Sequence, residues 1–183
     1  MCFDILMLNG CLLPGKTSFT EEGVSINIKP ESGETILFFS IDDQRNPNCR
    51  FRQLLGMNQE EMRICDLLIF YAKEDRRIVC FVELKRSGKL GDAVEQVINT
   101  SKYFQQFLNK NKYLNQSNYL SKAFIILEGS VPKEYRGYKD KLDNAFGENN
   151  CDHNGRSTDF GKFLRGTGGI AREYRKGKSK KRK

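Results

Sequence analysis

The chain has 183 residues, of which 38% are hydrophobic and 30% charged, with 13 Phe in the apolar set. That suits one domain with a lean but sufficient core, and no apolar run approaches the roughly 20 residues that cross a bilayer. The net charge is +8, yet seven of the 31 basic residues (Arg175, Lys176, Lys178, Lys180, Lys181, Arg182 and Lys183) sit at the C-terminal end, and the other 24 nearly balance 23 acidic ones.

In chain order, Ile5 to Leu8 is a short strand-like apolar run closed by Asn9-Gly10. Val24 to Ile28 alternates apolar and polar residues, and Thr35 to Ile41 is β-branched and aromatic; both suit strands. Asn46, Pro47 and Asn48 mark a loop. Ile64 to Tyr71 and Ile78 to Leu84 are apolar on both faces, as strands in the middle of a covered sheet are. Ala72 to Arg77 between them is a polar turn. After Ser87-Gly88 comes a helix, with Asp92 and Glu95 as a capping pair at its start. Its apolar stripe is Val94, Val97, Ile98, Ser101, Phe104 and Leu108. Asn109 to Asn118 reads as a loop, Ala123 to Leu127 as a strand, Tyr135 to Phe146 as a helix and Gly147 to Thr158 as a loop. Gly166 to Gly169 leads into the basic end. The class is therefore α/β, a mixed central β-sheet flanked by helices. Residues 1–170 form a single domain and 171–183 a disordered polycationic tail, suited to nucleic acid or an anionic membrane face, or serving only solubility or targeting.

The cysteines, Cys2, Cys11, Cys49, Cys65, Cys80 and Cys151, include no C-x-x-C pair. They read as free thiols of a reducing, intracellular compartment, cytoplasmic or, in a eukaryote, nuclear. No basic stretch precedes an apolar one at the N-terminus, which argues against a secretory signal. Cys151 and His153 could begin a zinc site but lack two further ligands at finger spacing. His153 is the sole histidine, which argues against a His-centred triad.

The two central strands carry few charges. Asp66 is alone in Ile64 to Tyr71, Glu83 is alone in Ile78 to Leu84, and Lys85 follows. A two-residue turn at Glu74-Asp75 pairs Lys73 with Arg76, Tyr71 with Ile78 and Asp66 with Glu83. Lys85 then shares their face, whereas a slip by one residue separates the carboxylates. Opposed on buried strands, with Cβ atoms about 5 Å apart, they repel and lose hydration. Lys85 offsets part of this, and a hard dication such as Mg²⁺ would offset more. A metal on two carboxylates beside a lysine suits phosphoryl chemistry. The plainer alternative is a structural ion pair.

Asp66, then Glu83-Leu84-Lys85, then a helix bearing Gln96, resembles the core of the PD-(D/E)xK nuclease superfamily across about Ile64 to Leu127. The resemblance implies a restriction-endonuclease-like core and a metal-dependent nuclease, with DNA favoured over RNA and a homodimer allowed. It implies that Asp66, Glu83 and the main-chain carbonyl of Leu84 hold Mg²⁺, with Mn²⁺ able to substitute. Lys85 would position or activate the water, and Gln96 would be the polar helix residue near the site. Cys65 stands where the family commonly has Pro. For the acidic residue many members carry before the first strand, Glu21, Glu22, Glu34, Asp43 and Glu61 compete.

Two other functions compete. One is a non-catalytic nucleic-acid-binding protein that uses its basic tail. The other is a P-loop nucleotide hydrolase, because Gly10 to Thr17 matches G-x-x-x-x-G-K-[ST] and Ile36 to Asp43 could supply the acidic strand. That loop must run into a helix whose N-terminus faces the phosphates, and Ser18 to Gly23 offers only about one turn before the alternating strand.

Overall fold

The computed structural model describes residues 6–7, 9–42, 44, 46, 48–57, 62–86, 90–111, 119–128, 135–154 and 159–166. The basic tail, the Ser87-Gly88 turn, Asp43 and Glu61 lie outside the described residues. Strands β1 (Leu12–Leu13), β2 (Ser18–Glu21), β3 (Val24–Asn27) and β4 (Thr35–Ser40) come first. They are followed by α1 (Phe51–Leu55), β5 (Leu67–Lys73), β6 (Arg76–Lys85), α2 (Leu90–Lys110), β7 (Leu120–Leu127), α3 (Tyr135–Phe146), β8 (Cys151–Asn154) and α4 (Phe160–Arg165).

Six strands form one mixed sheet in the order β1-β4-β5-β6-β7-β8, and β2 and β3 form a separate hairpin. The pairings β1–β4, β4–β5 and β5–β6 are antiparallel, while β6–β7 and β7–β8 are parallel. A parallel neighbour needs a crossover, which α2 supplies between β6 and β7 and α3 between β7 and β8. The fold is thus α/β with helices packed on a mixed sheet, and β5 and β6 hold its centre.

Strand alternation sorts the core into two layers. Leu68, Val79 and Phe81 pack with Phe51 of α1, Val94, Val97 and Phe104 of α2, and Leu142 of α3. Leu67, Ile69, Ile78, Cys80 and Val82 face the other way, against Val24 and Ile26 of the hairpin and Phe160, Phe163 and Leu164 of α4. Each fully buried side chain of this kind stabilises the fold by about 1.5–3 kcal/mol. By the same alternation Asp66, Glu83 and Lys85 belong to the helix-covered face. The β2–β3 hairpin lies on the opposite face, and its turn at Glu22-Gly23 takes positive φ (48° and 84°).

The structure departs from the sequence reading where non-local partners decide. Leu6 and Met7 are helical, not extended, and their carbonyls accept from Cys11 and Gly10 N–H. β5 begins at Leu67, three residues later than its apolar run suggests. The Cys65 N–H donates to Thr100 Oγ1 (2.9 Å) and the Ile64 carbonyl accepts from Gln96 Nε2 (2.9 Å), so helix side chains replace a ladder there. Asp92 is not a cap: it lies in the first turn of α2, where its charge suits the helix dipole, 3.5 Å from Arg63 Nη1. α2 also continues through Asn109 and Lys110. Within Gly147 to Thr158, read as loop, Cys151–Asn154 forms β8, because the exposed edge of β7 offers it hydrogen bonds. α4 escapes the sequence reading too; Asp159 caps it by accepting from Lys162 N–H (3.1 Å).

Gly10 to Thr17 contains β1 and a turn, and Thr17 leads into strand β2, its carbonyl accepting from Ile28 N–H (2.9 Å). The helix N-terminus that a phosphate-cradling loop requires is not formed there. No helix among the described residues is long and apolar enough to cross a membrane.

Candidate active site

The register that places the site is the one expected from the turn. Leu67 pairs with Val82 and Lys73 with Arg76, leaving Glu74-Asp75 as the two-residue turn, with Glu74 at φ 51°. One step beyond Leu67, Asp66 and Glu83 interlock. The Asp66 N–H donates to Glu83 Oε2 (3.2 Å), and Asp66 Oδ2 accepts from Leu84 N–H (2.7 Å). Each carboxylate thus takes the other strand's amide. Both are buried, Asp66 at 4% exposure and Glu83 at 0%. Lys85, the part-exposed end of the cluster, brings Nζ to 2.5 Å from Glu83 Oε1.

A third acid joins them. Glu21 stands at the end of β2 beside the hairpin turn, and its charge acts on Asp66, Glu83 and Lys85. Glu21 belongs to the hairpin whose Val24 and Ile26 pack in the other layer, yet its charge is felt at Asp66. Of its sequence competitors, Glu22 occupies the turn, and Glu34 is bound by Arg165 (2.7 Å) and Tyr71 (2.9 Å).

Among the described residues, the Asp66, Glu83 and Glu21 carboxyls and the Lys85 ammonium set the electrostatics. Burial pushes Asp66 well above the ordinary carboxylate range and the Glu83 charge pushes it further, while the Leu84 amide works against them. Burial also raises Glu83, more than Lys85 can lower it. For Lys85, burial favours the neutral amine, but the hydrogen bond and charge of Glu83, with Asp66 and Glu21 behind it, win and raise its pKa. Cys65, beside Asp66, is buried and its thiol is pushed far up by burial first and by the Glu83 charge second, which makes it a poor nucleophile.

The site rests on α2. Gln96 does not hydrogen-bond either carboxylate; its Nε2 holds the Ile64 carbonyl, two residues before Asp66. Its Oε1 is buried without a hydrogen-bond partner among the described residues. Thr100, one turn further on, was invisible to motif reading. Its Oγ1 donates to the Gln96 carbonyl (2.7 Å) and accepts from Cys65 N–H, while Ile41 N–H donates to the Asp66 carbonyl (3.1 Å). The only sequence signal for Thr100 was a hydroxyl at helical spacing from Gln96 on the buried face.

The acidic oxygens suit a hard cation. In this arrangement, however, Asp66 Oδ2 and both Glu83 oxygens are turned onto Leu84, Asp66 and Lys85. Among the described residues no group of three or more His, Cys, Asp or Glu side chains is arranged as a metal cage. A cation here would be held by the Asp66 and Glu83 carboxylates and the neighbouring Leu84 carbonyl, in place of the backbone amides and the Lys85 ammonium that now engage those oxygens.

No protein-family model, curated protein or solved structure matches this chain.

Proposed function

We propose that the protein is a metal-dependent nuclease of the PD-(D/E)xK type, hydrolysing phosphodiester bonds, with DNA as the favoured substrate. The observation that supports it most is the interlocked burial of Asp66 and Glu83 with Glu21 alongside and Lys85 as the ammonium paired with Glu83. That excess of buried acid costs stability unless a dication or protons neutralise it. A sheet that only needed an ion pair would not bury both Asp66 and Glu83 beside a single Lys85 contact.

In this reading the mixed sheet is a restriction-endonuclease-like core. Asp66, Glu83 and the Leu84 carbonyl would hold Mg²⁺ or Mn²⁺, whose contribution is to offset phosphate charge and polarise the scissile group. Lys85 keeps its proton, because Glu83, Asp66 and Glu21 favour the ammonium. It therefore orients the attacking water and stabilises charge on the phosphoryl oxygens; it does not accept the water's proton. The water oxygen bonds phosphorus as the bond to the leaving oxygen breaks, the water's proton passes to solvent, and the leaving oxygen is protonated from solvent. Gln96 and Thr100 act as positioning residues through the backbone before Asp66. The polycationic residues 171–183 add affinity for any phosphate backbone. An intracellular setting and a homodimer that cuts both strands belong to the same proposal.

The test is incubation with single-stranded, duplex and branched DNA and with RNA, with and without Mg²⁺ or Mn²⁺. Cleavage should need the metal, and Asp66→Ala, Glu83→Ala and Lys85→Ala should each abolish it in folded protein. Wild-type cutting by Glu83→Ala would end the proposal. Removing Arg175 to Lys183 should spare cleavage at low salt, whereas a protein that only binds through its tail would lose its nucleic-acid affinity altogether.

A further inference from the structure

We propose that Cys11 and Cys49 are a built disulfide site, bonded when the protein meets an oxidising thiol–disulfide pool. Their sulfurs lie 2.7 Å apart in the buried core. That is well inside the roughly 3.5–4.0 Å of ordinary non-bonded packing and within about an ångström of the S–S bond length of roughly 2.0 Å. Closing the bond needs a small side-chain movement.

The backbone on both sides is already fixed for it. Cys11 immediately precedes β1, and its carbonyl accepts from Ser40 N–H (2.9 Å). Cys49 closes the turn before α1, its N–H donating to the Asn46 carbonyl (2.9 Å). Between the two segments Arg50 N–H reaches the Asn9 carbonyl (3.0 Å) and Asn46 Nδ2 the Gly10 carbonyl (2.9 Å). Gly10 takes φ 70° against Asn48, where a Cβ would collide with the Asn48 carbonyl. Only glycine permits so close an approach. Cys65 and Cys151 instead place their sulfurs on the Leu67 and Leu142 carbonyls (3.5 and 3.4 Å).

The chemistry is thiol–disulfide exchange with a small disulfide such as oxidised glutathione. One cysteine, as thiolate, attacks a glutathione sulfur; a mixed disulfide forms and one glutathione leaves, taking up the displaced proton. The second cysteine then attacks the protein sulfur of that mixed disulfide and releases the second glutathione. The two protein thiols are oxidised, and one glutathione disulfide is reduced to two thiols. The hydrogen bond shared with Cys49 and, after it, burial hold the Cys11 thiol protonated. Exchange is therefore slow in the closed protein and proceeds when the contact between residues 9–11 and 46–50 opens. Once made, the bond closes a 38-residue separation and pins edge strand β1. It also borders the Asp66 support: Cys49 Sγ contacts the Ile41 carbonyl (3.8 Å), and Ile41 N–H holds the Asp66 carbonyl.

The test uses the full chain incubated with oxidised glutathione, then alkylated, digested without reductant and analysed by mass spectrometry. The expected product is one linked peptide pair joining Cys11 to Cys49. Its Tm should lie roughly 5–10 °C above that of the reduced protein, a rise that dithiothreitol reverses and Cys49→Ala lacks. Recovery of both cysteines as alkylated thiols after oxidation, or linkage of either to a different cysteine, overturns the assignment. The wild-type digest decides this even if a cysteine variant fails to fold, and neither outcome depends on the nuclease reading.

Discussion

Replacing Glu83 with Gln separates a functional carboxylate from a structural one. In the fold Glu83 accepts from Asp66 N–H and pairs with Lys85 at zero exposure. Gln keeps the carbonyl that accepts from Asp66 and removes the buried charge. Burial raises the Glu83 carboxyl from 4.5 to about 7. At about 1.4 kcal/mol per pH unit that displacement corresponds to at most about 3.5 kcal/mol, and coupling to Asp66 leaves roughly half. The sign follows from the direction. A carboxyl raised by folding leaves stability complete below its unfolded value of 4.5 and removes it as pH climbs to about 7. Glu83→Gln should therefore stabilise the metal-free protein by about 1–2 kcal/mol at pH 8.5, with a smaller gain at pH 5, while cleavage falls at least about 100-fold. Lys85, whose side chain is 28% exposed, can turn to water when its partner goes. Urea denaturation in EDTA at both pH values measures the first effect and Mg²⁺-dependent cleavage the second. Were Glu83 half of a structural ion pair, losing it would cost about 3–5 kcal/mol. A loss of that size at pH 8.5 would refute the reasoning.

Thr100→Val leaves the buried Cys65 N–H without its acceptor, and should cost about 1–3 kcal/mol in urea denaturation and lower cleavage through displacement of Asp66. Because burial and the Glu83 charge push Asp66 up to about 9, a dication must displace protons at neutral pH; the Mn²⁺ affinity measured by calorimetry should climb from pH 6 to pH 9, with proton release. An affinity that is flat in pH would count against metal binding at Asp66. Glu21→Gln removes one of the like charges that raise Asp66, so the same affinity curve should move to lower pH with the fold intact; an unmoved curve would mean Glu21 does not act on the site.

The pairing of Asp66 with Glu83 was legible from a single chain because strand alternation is strict. Once the polar stretch between two fully apolar strands shortens to a Glu74-Asp75 turn, the faces of Asp66, Glu83 and Lys85 are fixed together. The β5–β6 hairpin, the α2 stripe, β7 and α3 follow for the same reason, since each is long enough to carry its own period. What remained open depended on contacts between distant segments. Among the described candidate acids, Glu21 is the one whose charge acts on Asp66, and that depends on where the β2–β3 hairpin packs. Only the docking of α2 turns Thr100 and Gln96 into holders of the backbone before Asp66. β8 is a strand because β7 had an open edge beside it, and Cys11 meets Cys49 across 38 residues because Gly10 lets the chain pass close to Asn48. Local periodicity specifies which face a side chain takes. Which distant group meets it there depends on how the layers stack, and hydrophobic burial, being non-directional, leaves that to the packing of the complete fold.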